Sequence, residues 1–242
     1  MRLTIFSLLL LISACGVGGG EGKNIEGDQA LDHQKPSSES IQEAADLPET
    51  EPTVAEKIKK QPEGDWTDLS ILIPEAKLDI RYATENNFVK KQLYECPTCW
   101  LRPDAASALK EVQEELKTQG YGLVLFDCYR PRQVQQALWD IMPNASYVTP
   151  PSRGSMHNRG KAIDLSLTDL DGNQLEMGTP FDFFGRAAHS DNRDHPKEIL
   201  ERRDLLTGTM EKYGFRGIRT EWWHFSFGGK PAELSEEMWH CE

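Results

Sequence analysis

Two short stretches of this sequence carry residue types and spacings that could do chemistry. The first is Gly154-Ser155-Met156-His157-Asn158-Arg159-Gly160-Lys161-Ala162-Ile163-Asp164, which sets a histidine and an aspartate seven residues apart. The second, near the C-terminus, is Glu221-Trp222-Trp223-His224-Phe225. Together they offer two imidazoles, a carboxylate that could join them around a metal, and a spare carboxylate. A catalytic zinc needs this inventory: three protein ligands, an open position for water, and a base beside it. Neither stretch is specific by itself, because a lone histidine is more often structural and a carboxylate three residues before a histidine is common.

A third constellation is Asp127-Cys128-Tyr129-Arg130-Pro131. An arginine placed at a strand end and held by the following proline could stabilise oxyanion charge. On this fragment alone, an ordinary ion pair between Arg130 and Asp127 is the simpler reading.

These residues need elements to position them. Leu69 to Pro74 and Leu78 to Tyr82 read as short strands. From Asp104 to Gln119 the apolar residues Ala105, Ala108, Leu109, Val112 and Leu116 fall at helical spacing, and Gly120 ends the run. Gly122 to Phe126 reads as a buried strand. Pro131 suits the first turn of a helix over Arg132 to Ile141, where the donor that proline lacks would be unpaired anyway. A Pro/Gly/Ser-rich loop, Tyr147 to Gly160, leads into a strand over Ala162 to Leu167, whose alternation turns Asp164 and Ser166 away from Ile163, Leu165 and Leu167. Asp169 to Asn173 is a turn, Pro196 to Tyr213 a helix, and Glu221 to Phe227 a last, aromatic strand. Glu221 precedes His224 by three positions, so in a regular strand they face opposite sides; Glu221 must sit where the strand begins or bends. The mixture implies an α+β domain with an antiparallel sheet.

Of 242 residues, 38% are hydrophobic and 9% aromatic, ample for one packed core. The formal net charge of -12 argues against a nucleic-acid partner, which would require a basic surface to neutralise phosphates. Met1-Arg2 followed by an apolar run from Leu3 to Ile12 is too short to span a bilayer of ~30 Å and reads as an export signal. Ile12-Ser13-Ala14-Cys15 resembles the bacterial lipobox, which implies lipidation at Cys15; an ordinary cleaved signal with a chance cysteine is the alternative. Gly16 to Gly64 lacks Trp, Tyr, Phe and Cys and is rich in Glu, Asp, Gly, Ser and Pro, a composition that cannot offset its ordering entropy. The expected division is therefore a signal over residues 1–14, a lipidated N-terminus and tether over 15–64, and a catalytic domain over 65–242. In an exported protein Cys96, Cys99, Cys128 and Cys241 are expected to form one or two disulfides; three pairings are open, and nothing in the spacing chooses among them.

The motifs taken as a set resemble the D-alanyl-D-alanine dipeptidases, the VanX-like zinc peptidases that share a fold with D,D-carboxypeptidases and the Hedgehog N-terminal domain. The matching pieces are Asp79-Ile80-Arg81-Tyr82-Ala83-Thr84-Glu85-Asn86-Asn87-Phe88, Asp127 to Pro131, Gly154 to Asp164, Met177-Gly178-Thr179-Pro180-Phe181-Asp182 and Glu221 to Phe225, in family order. The resemblance implies a Hedgehog/D,D-peptidase-like α+β domain with a central antiparallel sheet flanked by helices. It implies one Zn²⁺ on His157, Asp164 and His224, Glu221 as general base and acid, and Arg130 polarising the scissile carbonyl. It also implies Asp182 receiving the ammonium of D-Ala-D-Ala, Ser155 holding the dipeptide, and Tyr82 lining the pocket. Besides this dipeptide, the only partner expected is a membrane, through the N-terminal lipid; no protein partner is implied. A D,D-carboxypeptidase acting on peptidoglycan stems, or a binding module keeping a structural zinc, remains open. Two departures from the family pattern concern the pocket. Cys96-Pro97-Thr98 reworks a connection, and Gly228 to Glu242 extends past the last strand, where it is expected to cover or narrow the cleft.

Overall fold

The computed structural model describes residues 64–230 and 232–241, together with Pro62. The expected signal peptide, the lipidated Cys15 and most of the tether lie outside the described residues. Among the described residues no helix is long and apolar enough to cross a membrane.

The chain opens with β1 (Thr67–Asp68) and one helical turn, α1 (Leu69–Leu72), then β2 (Lys77–Leu78). After a connection containing a 3-10 turn at Arg81–Ala83 come β3 (Trp100–Leu101), α2 (Pro103–Thr118), β4 (Tyr121–Asp127) and α3 (Arg132–Ile141). The second half supplies a 3-10 turn at His157–Arg159, β5 (Ala162–Asp169), α4 (Lys197–Lys212), β6 (Phe215–Ile218) and β7 (Glu221–Phe227). Five strands form one sheet in the order β2-β4-β5-β7-β6, and β1 pairs with β3 in a separate ribbon. Within the sheet, β4, β5, β7 and β6 run antiparallel as expected, whereas the short edge strand β2 lies parallel to β4. This is the expected α+β architecture of a central sheet with flanking helices; α2 and α4 pack on each other and on the sheet.

The apolar patterns explain the core. Leu123, Val124, Leu125 and Phe126 of β4 are all buried, as are Ile163, Leu165 and Leu167 of β5. Such runs require cover on both sides. Helix α2 presents Ala105, Leu109, Val112 and Leu116 inward at the expected spacing, and its first residue is the favourable Pro103. Phe126, Phe181 and Trp223 form an aromatic cluster, with centroids 5.0 Å apart for Phe126–Phe181 and 5.4 Å for Phe181–Trp223.

Two stretches depart from the sequence reading. The sequence reading makes Leu69 to Pro74 a short strand, yet Leu69–Leu72 is helical. The Asp68 carboxylate caps it by accepting from the Ser70 N–H at 2.8 Å. That cap satisfies a donor a strand would have offered to a neighbour, and local capping outweighs the weak strand preference. The second expected strand shrinks to Lys77–Leu78, and Arg81–Ala83 is the 3-10 turn.

Of the one or two disulfides expected, two form, and the Cys-x-x-Cys pair does not close on itself. Cys96 joins Cys241, and Cys99 joins Cys128. The first closes a sequence separation of 145 and the second one of 29, so each constrains a large part of the unfolded ensemble, typically by about 2–4 kcal/mol. Cys241 ends a C-terminal segment that lies along the loop carrying His157. Within it, Ser235 donates its N–H to the Asn158 carbonyl at 2.9 Å, and the Ala232 carbonyl accepts from Arg159 at 2.7 Å. Trp239 is buried against Tyr94 and Tyr129.

Gly160 closes the 3-10 turn at His157–Arg159 with φ +65°, and its missing side chain makes room for Trp66. A Cβ there would fall 2.2 Å from the Trp66 ring. Gly160→Ala is therefore expected to destabilise the protein by roughly 2–4 kcal/mol, combining left-handed strain with overpacking. A shift of the denaturant midpoint at unchanged m-value would register it; a shift under ~0.5 kcal/mol would refute the account.

Candidate active site

Asp164 and His224 are directly opposed on β5 and β7, so their side chains share one side of the sheet. His157 arrives from the neighbouring 3-10 turn. One donor atom from each meets the others: His224 Nδ1 lies 2.9 Å from Asp164 Oδ1 and 3.1 Å from His157 Nε2, and His157 Nε2 lies 3.3 Å from Asp164 Oδ1. Among the described residues this is the only cluster of three His, Cys, Asp or Glu side chains close enough to hold a metal ion.

The donor set fits zinc. A tetrahedral ion with bonds of 2.0–2.1 Å has ligand-to-ligand edges of about 3.3 Å, close to the spacings seen. The ring orientation agrees. His157 Nδ1 is 2.7 Å from the Cys128 carbonyl, which can only accept, so that nitrogen carries hydrogen and Nε2 is left to offer its lone pair. His224 Nε2 meets Ser226 Oγ at 3.1 Å, which directs its Nδ1 inward. Burial alone would raise the Asp164 pKa; the charge and hydrogen bond of His157, then those of His224, outweigh it and hold the carboxylate far below its ordinary range.

The loop that presents His157 is laced to the end of β4. Arg130 donates its N–H to the His157 carbonyl at 3.1 Å, and Asn158 Nδ2 donates to the Arg130 carbonyl at 2.6 Å. Asn158 Oδ1 accepts from the Ser155 N–H at 2.7 Å, while Ser155 Oγ accepts from the His157 N–H at 3.2 Å. Ser155 thus shapes the turn as well as lining the cleft.

Arg130 and Asp127 do form the ion pair that the fragment suggested, and it is buried. Arg130 Nε donates to Asp127 Oδ2 at 2.8 Å, Nη2 reaches the same oxygen at 2.6 Å, and Nη1 donates to Gln135 Oε1 at 2.9 Å. Tyr94 donates its hydroxyl to Asp127 Oδ1 at 2.7 Å. Burial would lower the Arg130 pKa, but the Asp127 charge more than restores it, and the guanidinium stays ionised. A guanidinium has five N–H donors. Two therefore remain on the terminal nitrogens, near the metal cluster: Nη2 is 3.7 Å from Asp164 Oδ2.

A cleft of about 230 Å³ unites these groups, lined by Arg130, Ser155, His157, Asp164, Asp182, Glu221 and His224, with Tyr82 and Trp223 on its walls. It is smaller than the ~300–1,000 Å³ of drug-sized ligand pockets and suits a small substrate. Asp182 occupies the left-handed region with φ 59°, uncommon for a side chain, and accepts from the Tyr82 hydroxyl at 3.0 Å. Burial pushes the Asp182 carboxyl well above its ordinary value, and the Asp164 charge adds to this. All eight residues singled out from the domain's sequence thus line one cleft. Gln135, which orients Arg130, and Tyr94, which holds Asp127, belong to the same network, and no local sequence motif marks either.

The C-terminal segment was expected to cover or narrow the cleft. None of residues 232–241 lines it. The Cys96–Cys241 bond and the seat of Trp239 draw the segment behind the His157 loop instead. His189 also lies outside the cleft, its Nδ1 3.2 Å from Arg219.

Known proteins place this cleft in context. The model of the D-ala-D-ala dipeptidase family matches residues 63–241. A D-alanyl-D-alanine dipeptidase of Escherichia coli (strain K12) is 39% identical over 158 residues, which cover 65% of this chain and 82% of the relative. One from Enterococcus faecium is 34% identical over 188 residues, 69% of this chain and 93% of its own length. A third, from Enterococcus faecalis (strain ATCC 700802 / V583), is 30% identical over 190 residues, 70% of this chain and 94% of the relative.

Glu221 opens β7 beside a register shift between Gly217 and Ile218, which frees it from strict alternation with His224. Burial pushes its pKa up to about 8, with the Asp164 charge adding to the rise. In the metal-free protein the folded state then holds a proton that the unfolded chain releases near pH 4.5. The contribution of Glu221 to stability is consequently greatest below that pH and falls as pH rises toward 8. Glu221→Gln should flatten this slope, which is on the order of 1 kcal/mol per pH unit. Denaturant titrations of both metal-free proteins between pH 5 and 8 read the difference; parallel profiles would contradict it.

Proposed function

The chain belongs to the D-alanyl-D-alanine dipeptidase family, and on that footing we propose that it hydrolyses the peptide bond of D-Ala-D-Ala with one zinc per chain. The observation that carries this reading is the convergence, in a cleft of about 230 Å³, of a three-donor metal cluster with a spare carboxylate, an arginine and a second buried-side carboxylate. A structural zinc would need none of the last three.

Zinc on His157, Asp164 and His224 would supply Lewis acidity, lowering the pKa of a cleft water toward ~7. Glu221 takes a proton from the attacking water and returns it to the leaving amine. Its raised affinity for a proton suits the exchange, because a base poised near neutrality both accepts and releases. Arg130 turns its two uncommitted N–H groups to the scissile oxygen and stabilises the charge that develops there. Asp127 and Gln135 hold the fork in place, so little reorganisation accompanies the reaction. Asp182, steadied by Tyr82, receives the substrate ammonium, and Ser155 contacts the bound dipeptide.

The ammonium contact separates a dipeptidase from a carboxypeptidase. A peptide extended at its amino end presents an amide to Asp182 and leaves the carboxylate unpaired. The zinc-loaded protein should cleave D-Ala-D-Ala with kcat/KM at least about 10³-fold above that for a pentapeptide stem. In the same assay Glu221→Ala should lower kcat by at least ~10² while metal content is unchanged. Preference for the pentapeptide would move the reading to a D,D-carboxypeptidase, and loss of metal in Glu221→Ala would reassign that residue.

The site of action follows from the N-terminal sequence. Residues 1–14 direct export, Cys15 carries a lipid, and residues up to 64 tether the domain to a membrane of the cell envelope. The support is the pattern from Met1 to Cys15, with its short apolar run and small residues before the cysteine. Cys15→Ser is expected to shift the protein from the membrane to the soluble fraction; unchanged membrane association would sink the anchor.

A further inference from the structure

We propose that Arg153 is the group that binds the free carboxylate of the dipeptide, a reading that rests on the dipeptidase function above. A dipeptide is a zwitterion, so a site fitted to its whole length needs a partner at each end. Asp182 supplies the one for the ammonium. Two arginines line the cleft, Arg130 and Arg153. Arg130 is committed to Asp127 and Gln135, and its remaining donors face the metal cluster. Arg153 is exposed at the mouth of the cleft, and among the described residues its guanidinium makes no hydrogen bond or ion pair, so it is solvated and open to an incoming anion.

The backbone beneath this unpaired side chain is fixed. The N–H groups of Arg153 and Gly154 both donate to the Pro150 carbonyl, at 2.9 and 3.2 Å. Arg132 Nη2 reaches the Pro151 carbonyl at 3.4 Å, and Arg132 Nη1 pairs with Glu236 at 2.6 Å. Gly154, with φ +75°, lies against Leu234 of the C-terminal segment, where a Cβ would come within 2.5 Å. A braced loop therefore carries a free guanidinium two residues before Ser155 and four before His157. The guanidinium fork matches a carboxylate with two parallel N–H···O bonds. Ser155, two residues on, lines the same cleft and keeps its own hydroxyl hydrogen, since its oxygen only accepts from the His157 N–H. The C-terminal segment, which does not enter the cleft, thus acts on specificity through the loop it supports.

The test compares zinc-loaded wild type, Arg153→Gln and Arg153→Lys on D-Ala-D-Ala and on its C-terminal amide, which has the same peptide bond and no carboxylate. Arg153→Gln should raise KM for D-Ala-D-Ala by roughly 10–100-fold with a smaller change in kcat. On the amide the same variant should differ from wild type by less than about twofold, and Arg153→Lys should recover part of the loss on D-Ala-D-Ala. Equal losses on both substrates, or no loss on D-Ala-D-Ala, would overturn the assignment while leaving the dipeptidase reading intact. Wild type inert on both would overturn the dipeptidase reading and this one with it.

Discussion

Three potential metal-donor atoms lie about 3 Å apart in a buried place, a spacing that suits a shared cation. His157 Nε2, His224 Nδ1 and Asp164 Oδ1 are placed by the fold, and a cation between them would answer all three lone pairs at once. Strand pairing brings two of them together, because Asp164 and His224 are opposed on β5 and β7. The third depends on a loop, which has no intrinsic reason to stay. Its turn is held by Ser155 Oγ, by Asn158 bridging to Arg130, and by the bond from His157 to the Cys128 carbonyl. These outer bonds set both the position of the ring and which nitrogen faces the metal.

The same segment of β4 organises the other half of the chemistry. Asp127 is a fully buried charge, tolerable only because Arg130 and Tyr94 satisfy it. Removing one member of such a pair typically costs 3–5 kcal/mol, since the partner is left charged without compensation. Here the arrangement serves more than stability. Orienting Arg130 with Asp127 and Gln135 uses three of its donors and leaves two near the reacting atoms. The carbonyl that orients His157 belongs to Cys128, the residue next to Asp127. His157 and Arg130 therefore share one support, and a shift of that support would move both.

Much of this was legible in the sequence, for identifiable reasons. The helical period in Ala105 to Leu116, the alternation in Ile163 to Leu167 and the aromatic strand from Glu221 reflect burial, which local pattern records well. The candidate metal and acid–base residues His157, Asp164, His224 and Glu221 were legible because such chemistry uses few residue types, whereas Asp182, Ser155 and Tyr82 came only from the family resemblance; the structure brings all of them, with Arg130, to one cleft. The run Leu69 to Ile73 misled, since a single cap from Asp68 decided between helix and strand. Cysteine partners were closed to sequence reasoning because 145 residues separate Cys96 from Cys241, and only the fold brings them together. Gln135 and Arg153 carry no signature either. Their roles come from what lies across the cleft, and no spacing along the chain encodes that.

The C-terminal segment shows how a part that never touches substrate can still shape the site. Residues 232–241 reach Asn158, Arg159 and, through Leu234, Gly154, which are positions on the loop that carries Ser155 and His157. The segment contributes no strand to the central sheet, so ladder hydrogen bonds do not secure it. What secures it is the burial of Trp239 and the bond from Cys241 to Cys96, while the second disulfide ties Cys99 to Cys128 beside Asp127. Both cross-links thus converge on the supports of His157, one through the loop and one through the carbonyl that orients its ring. Rigid support of this kind matters most for a small cleft, where a displacement of ~1 Å misaligns a base, an oxyanion group and a metal ligand at once.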